Sequence, residues 1–306
     1  MGCTGSVIFL LLISSWIPYI GPFFSLLLPL PFLFYSSKLG FIQGLITGLI
    51  TLIIVGFVTR LAGYSQAILF CLEFCIVGLI ISEIFRREYS FGFTIFWGTV
   101  LMLLVGVLFL FLIGIARGLG PFELILNYFQ ANLNKTLGLY ENMGMEPDKI
   151  LQLKEFGKVI SNLLSKIYPA LIVVGTGFVI WINVVASRPI FRLGKIKYPD
   201  LGQTDRWQAP EFLVWGVIIA GFSLFFPVSG IKFIALNSII VFLVIYVFHG
   251  LSIVMFFFNK HHIPSWVRFG VYVFIAIQQM FLILLALAGL FDQWIDFRRI
   301  HKKAAG

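Results

Sequence analysis

The sequence predicts an all-α protein: a polytopic transmembrane helical bundle of about eight spans, with an amphipathic helical hairpin inserted near mid-chain. Three observations predict it. Only 11% of the 306 residues are charged and 60% are hydrophobic, against roughly 25% and 45–50% in soluble globular domains. Mean hydropathy is +1.01 and Phe alone supplies 35 residues, so polar side chains are too few to cover a water-facing surface. The apolar residues also gather into stretches near or above the ~20 that cross a hydrocarbon core. No period-2 strand pattern recurs, which disfavours a β-barrel. The same figures exclude a soluble enzyme, a disordered chain, a collagen and a disulfide scaffold.

The first apolar stretch, 6–35, is interrupted by Pro18, Gly21, Pro22, Pro29 and Pro31. Proline removes an intrahelical hydrogen bond and clashes with the preceding turn, so this stretch is expected to kink or to split into two half-helices. It lacks a basic segment before it and a small-residue cleavage site after it, and is expected to be retained rather than removed as a signal peptide. Met1-Gly2-Cys3 matches an acylation pattern, read here as chance. The following spans are placed at 39–58, 66–84 and 91–116. After a polar break come 168–186, 212–226, 231–258 and 267–291. The chain is thus read as one integral membrane domain over 1–306: front spans in 6–116, an amphipathic insert at 117–166, and back spans in 167–306.

Within the insert, 121–139 reads as an amphipathic helix. Pro147 suits a helix start. Ile150, Leu151, Leu153, Phe156, Val159, Ile160, Leu163 and Leu164 then recur at helical spacing, with Lys149, Lys154, Glu155 and Lys158 filling much of the rest. The pattern fits a hairpin lying on the membrane or capping the bundle; a plain connector is the alternative.

The chain carries 22 Lys and Arg against 13 Asp and Glu, a formal +9. The cations lie mainly between and after apolar runs, as the positive-inside bias requires. Counted over eight crossings, the side of the two termini collects twelve cations and the other ten. The tail group Arg298, Arg299, Lys302 and Lys303 tips the expectation to both termini inside. Cys71 and Cys75 lie within an apolar run, so no disulfide framework is expected.

Gly40, Gly44 and Gly48 recur every fourth residue. Such glycines share one helix face and let backbones approach, replacing a hydrophobic drive with van der Waals contact. A neighbouring span or a second subunit would fill the groove. Glu73 and His249 fall inside apolar runs, where charge is costly and ionisable groups usually face the bundle interior. With Gln278 they are candidates for a polar pocket that binds a solute or passes a proton. The alternative is that each is satisfied locally by a carbonyl. Asn183 and Asn237 are candidate neutral partners. Asp292 and Asp296 lie one turn apart, and Arg299 follows Asp296 by three residues, a spacing that pairs unlike charges. With Trp294 and Phe297 they form either an interfacial anchor or a docking site for another protein.

His261-His262 has no third ligand at a recognisable spacing, so no metal is expected, and no cofactor. No nucleophile elbow, phosphate-binding loop or metalloprotease motif occurs; the chain is not expected to be an enzyme.

At the carboxyl end, Asp205-Arg206-Trp207-Gln208-Ala209-Pro210 precedes a span. His249-Gly250-Leu251-Ser252 leads into Lys260-His261-His262-Ile263-Pro264. Gly289-Leu290-Phe291-Asp292 leads into Asp296-Phe297-Arg298. This order resembles the YybS-like family of bacterial inner-membrane proteins, a domain of unknown function, over nearly the whole chain. The front half, with Gly40–Gly48 after a proline-broken span, is similar to the substrate-binding S components of energy-coupling-factor transporters. That resemblance implies a small-solute binding or transport-associated role in the bacterial inner membrane. Its partners would be the lipid bilayer and a separate ATPase and transmembrane coupling module. A non-transporting scaffold that docks envelope or cell-shape proteins is the alternative.

Overall fold

The computed structural model describes residues 2–17, 21–61, 67–118, 120, 123, 130–136, 138–139 and 146–298. Among these residues the regular structure is helical throughout. Its main helices are α1 (Gly2–Trp16), α2 (Gly21–Ser25), α3 (Pro29–Leu39), α4 (Phe41–Leu61), α5 (Ala67–Arg86), α6 (Phe91–Arg117), α7 (Pro147–Leu193), α8 (Phe212–Ser223), α9 (Ser229–Lys260), α10 (Ser265–Ile277) and α11 (Gln279–Ile295). Five of them, α4, α5, α6, α7 and α9, are long and apolar enough to cross a membrane. The bent pair α10–α11 makes up to six, and α1, 23–39 and α8 are shorter apolar helices. The chain divides into two compact units. One comprises Met1–Leu103, Gly175–Gln208 and Ser252–His262; the other comprises Leu104–Val174, Ala209–Leu251 and Ile263–Gly306.

In the first unit the prolines act as expected. Pro29 occupies the first turn of α3, where its missing N–H is no loss, and the first apolar stretch doubles back instead of crossing once. Gly2 packs on Tyr35 near the end of α3, while Val7 shares an apolar cluster with Leu28, just before its start. Residues 2 and 38 therefore lie toward the same end of this unit. A single crossing by 6–35 would have put them at opposite ends. Gly40 takes φ +101° between α3 and α4, a conformation that L side chains rarely adopt. A Cβ on Gly44 would stand 2.6 Å from Ser36 Cα, and one on Gly78 2.6 Å from Pro29 O. Glycines on α4 and α5 thus form the slot that α3 fills. Asn183 of α7 donates through Nδ2 to Val179 O (2.7 Å) and Leu26 O (2.8 Å), tying α7 to the chain entering α3. On the outer faces Ile42, Ile53 and Phe57 of α4 are 72%, 71% and 66% exposed, as side chains that meet lipid rather than water would be.

The amphipathic run from Ile150 and the apolar run from Tyr168 form a single helix, α7, of 47 residues, whose part up to Val174 belongs to the second unit. The second arm of the expected hairpin is therefore the start of a span. Of its first arm, expected over 121–139, residues 121–122, 124–129 and 137 lie outside the described residues, while 130–136 and 138–139 are helical. Pro169 sits inside α7, where proline disrupts the hydrogen-bond ladder. Asn237 of α9 repairs it: Oδ1 accepts from Ala170 N (2.9 Å) and Nδ2 donates to Lys166 O (2.8 Å). An amide side chain inserted into the ladder is a recognised cause of helix bending.

The stretch expected as one span over 267–291 is broken. Gln278 is extended (φ −96°, ψ 97°) between α10 and α11, and the two helices diverge by 103°. Neither proline nor glycine marks the break. Two adjacent glutamines in an apolar run supply the polar groups there.

Candidate functional site

In the second unit α9 and α11 cross with almost no side chain between them. A Cβ on Gly250 would collide with Leu285 O, and one on Gly289 with Tyr246 O. Only glycine permits such backbone contact, which small residues provide in membrane helices. The crossing brings His249, next to Gly250, against Asp292, one turn beyond Gly289.

The end of α11 completes the arrangement. Asp296 adopts a left-handed conformation (φ 47°) and its N–H donates to Asp292 O (2.9 Å). Phe297 N donates to Asp292 Oδ1 (2.8 Å). Aspartate tolerates this conformation better than most residues, and the turn folds the following segment back over the helix end. Arg298 thereby donates from Nη2 to Asp292 Oδ2 (2.9 Å). His249 Nε2 stands 3.1 Å from the same Oδ2 and 2.9 Å from Arg298 Nη2. All three side chains are 0% exposed. The ring of buried Tyr246 stacks on His249 at 6.4 Å, and Gln293 Nε2 donates to Ala209 O (3.2 Å) beside the end of α11.

The chemistry of this cluster turns on one nitrogen. Nε2 carries either a proton, which it donates to Asp292, or a lone pair, which accepts from Arg298. It cannot serve both neighbours at once. Asp292 and Arg298 cancel in charge, so neutral His249 leaves the cluster neutral and an imidazolium makes it net positive. Asp292 Oδ1 stays committed to Phe297 N in either state.

The other residues singled out in the sequence lie elsewhere. Glu73 is on an exposed face of α5, in the first unit. Gln278 is exposed at the α10–α11 break. Gly44 and Gly48 face packed neighbours, with Gly48 against Cys75 Sγ, while Gly40 makes the turn before α4. Asp292 is enclosed and presents no surface for docking. Asp296 is outside the helix and so does not share a helical face with it. Arg299 lies outside the described residues. Asn183 and Asn237 brace backbones. Among the described residues no group of three or more His, Cys, Asp or Glu side chains is placed to hold a metal. Sequence reasoning missed Arg298. Its partner stands six positions earlier, a spacing that does not pair on a continuous helix.

Long apolar helices, a lipid-like exposed surface and charges enclosed as an ion cluster define a helical integral membrane protein of several spans. The chain belongs to the family described as "Predicted membrane protein (DUF2232)", whose model matches residues 6–293. That is an uncharacterised membrane-protein family, as the carboxyl-terminal motifs led one to expect. Neither a curated protein nor a solved structure matches the chain.

Proposed function

We propose that this protein binds a small solute and takes part in its transport across the bacterial inner membrane, with the His249–Asp292–Arg298 cluster as its proton-responsive centre. The observation that carries the reading is the enclosure of all three ionisable side chains within apolar helices. Ionisable groups at membrane depth are expensive to bury and commonly mark ion or substrate pathways. The 103° break between α10 and α11 supports the same reading, because discontinuous helices often frame transporter binding sites. Moving the Nε2 proton exchanges an Asp292 contact for an Arg298 contact and so alters what ties α11 to α9. In this reading the protein is a binding rather than a catalytic component, S-component-like in its front half. A separate ATPase-bearing coupling module is its partner. Both termini face the cytoplasm, in keeping with Lys38, Arg86 and Arg87 at the end toward which residue 2 points. The alternative, a scaffold docking envelope proteins through 292–299, draws no support from the enclosed Asp292.

The test is thermal stabilisation of the purified protein by a panel of vitamins, amino acids and inorganic ions, each measured at mildly acidic and neutral pH. A solute that raises the midpoint of the wild type but not of His249→Ala supports the proposal. Equal midpoints for the wild type with and without every member of the panel overturn it.

A further inference from the structure

We infer that the first unit carries a binding groove for the headgroup of an anionic phospholipid, where α3 and α5 end and the segment after α7 folds over them. A cavity of about 170 Å³ lies there, with Ser37, Ser82, Arg86, Glu88 and Lys197 as its polar lining. The hydroxyls form one end of the polar surface: Ser37 Oγ donates to Ser82 Oγ (3.1 Å). Arg86 is fixed beside them by donating from Nη2 to Ser36 O (3.2 Å), with Nη1 3.5 Å from Glu83. These contacts use two of the five donors of a guanidinium. Lys197 pairs with Glu88 at 2.8 Å on the open side, a surface pair of the kind that contributes little and exchanges partners readily.

Three observations select a lipid. First, the cavity is below the roughly 300–1,000 Å³ of sites that enclose a whole small molecule, and two hydroxyls with two cations suit a phosphate group. Second, Arg86 also borders a shallow hollow of about 320 Å³ formed by Leu39, Gly40, Phe41, Ile42 and Gln43. Phe41 and Ile42 there are 42% and 72% exposed, so the polar cavity opens beside an apolar surface on which an acyl chain can lie. A soluble anion has no use for that second surface. Third, the helix ends bring Lys38, Arg86, Arg87, Arg192, Lys195 and Lys197 to one end of the unit, against Glu83, Glu88 and Asp200. Basic pockets between helices at this depth bind anionic headgroups.

The test uses the full chain in nanodiscs of phosphatidylcholine alone or mixed with phosphatidylglycerol, with lipid retention after detergent exchange read by native mass spectrometry. The wild type is expected to retain phosphatidylglycerol over phosphatidylcholine, and Arg86→Gln with Lys197→Gln to lose roughly tenfold of that preference. Lys197→Gln alone alters an exposed side chain, keeps the fold, and is expected to lose part of it; Lys154→Gln, in the other unit, is expected to lose none. Equal retention of the two lipids by the wild type overturns the inference, as does an unchanged preference in the Lys197 variant. Inorganic phosphate that displaces the retained lipid completely overturns it in favour of a soluble anion.

Discussion

Arg298 reaches back past the end of α11 to place Nη2 2.9 Å from Asp292 Oδ2, and both side chains are wholly enclosed. An ion pair removed from water this completely is worth little as a pair but is costly to halve. Replacing one member leaves the other charged and unsatisfied, a loss of about 3–5 kcal/mol. Asp292→Asn keeps an oxygen for Phe297 N and strands Arg298. It is expected to lower the thermal midpoint sharply, whereas Asp292→Asn combined with Arg298→Met loses less than the sum of the single changes. Additive losses in that double-mutant cycle would show that the pair is not coupled.

The glycine crossing makes the cluster possible, and its removal is expected to be felt there. Gly289→Ala sets a methyl against Tyr246 O. Forcing the helices apart costs on the order of 1–3 kcal/mol and pulls Asp292 from His249. Gly270→Ala on α10 meets open space and is expected to be neutral or slightly stabilising. Thermal midpoints of the two variants in the same detergent provide the check; matched midpoints would contradict the close crossing.

Asn237 and Pro169 form a second testable pair. Asn237→Leu leaves Ala170 N and Lys166 O without the amide that joins them, at about 1–3 kcal/mol for buried groups left unmade. Adding Pro169→Ala removes the ring and lets the ladder close directly. The double variant is therefore expected to be more stable than Asn237→Leu alone, as measured by its unfolding midpoint.

Tyr198 lies outside the spans, with its hydroxyl donating to Val184 O at 2.8 Å. Burial is the main cause that raises its pKa above the ordinary value of 10.0. The folded state thus holds the phenolic proton more tightly than the unfolded chain does. That contribution to stability is complete below pH 10 and is lost as pH rises through the folded value. Tyr198→Phe is expected to be less stable at neutral pH by roughly 1 kcal/mol and to show a shallower alkaline decline. Parallel alkaline denaturation curves would count against this account.

The class of the fold is legible in the sequence because lipid admits only helices and closed barrels, and long apolar runs without a period-2 pattern fit the helices. The splitting of the first run is legible for the same kind of reason: Pro22, Pro29 and Pro31 are local instructions. Its consequence, that residue 2 returns to the end holding Lys38, depends on packing against α4 and α5 and is not. The union of the amphipathic and apolar parts of α7 escapes periodicity, since two patterns can follow one another without a break in the backbone. The elbow at Gln278 carries no helix-breaking residue. At the site, His249 and Asp292 are visible separately as ionisable groups, and Gly250 and Gly289 stand beside them in the family-like motifs. Only the crossing relates the two segments. Arg298 is hidden further, because its approach depends on Asp296 turning left-handed, which aspartate tolerates but does not by itself dictate.

The order of synthesis gives the turn at Asp296 one more significance. Arg298 leaves the ribosome after every helix described here, so the counter-charge of Asp292 follows the helices that enclose it. A chain that stops short of Arg298 lacks the cation that balances Asp292 in the enclosed cluster. Closure of this half of the molecule therefore depends on a residue that lies beyond its last helix.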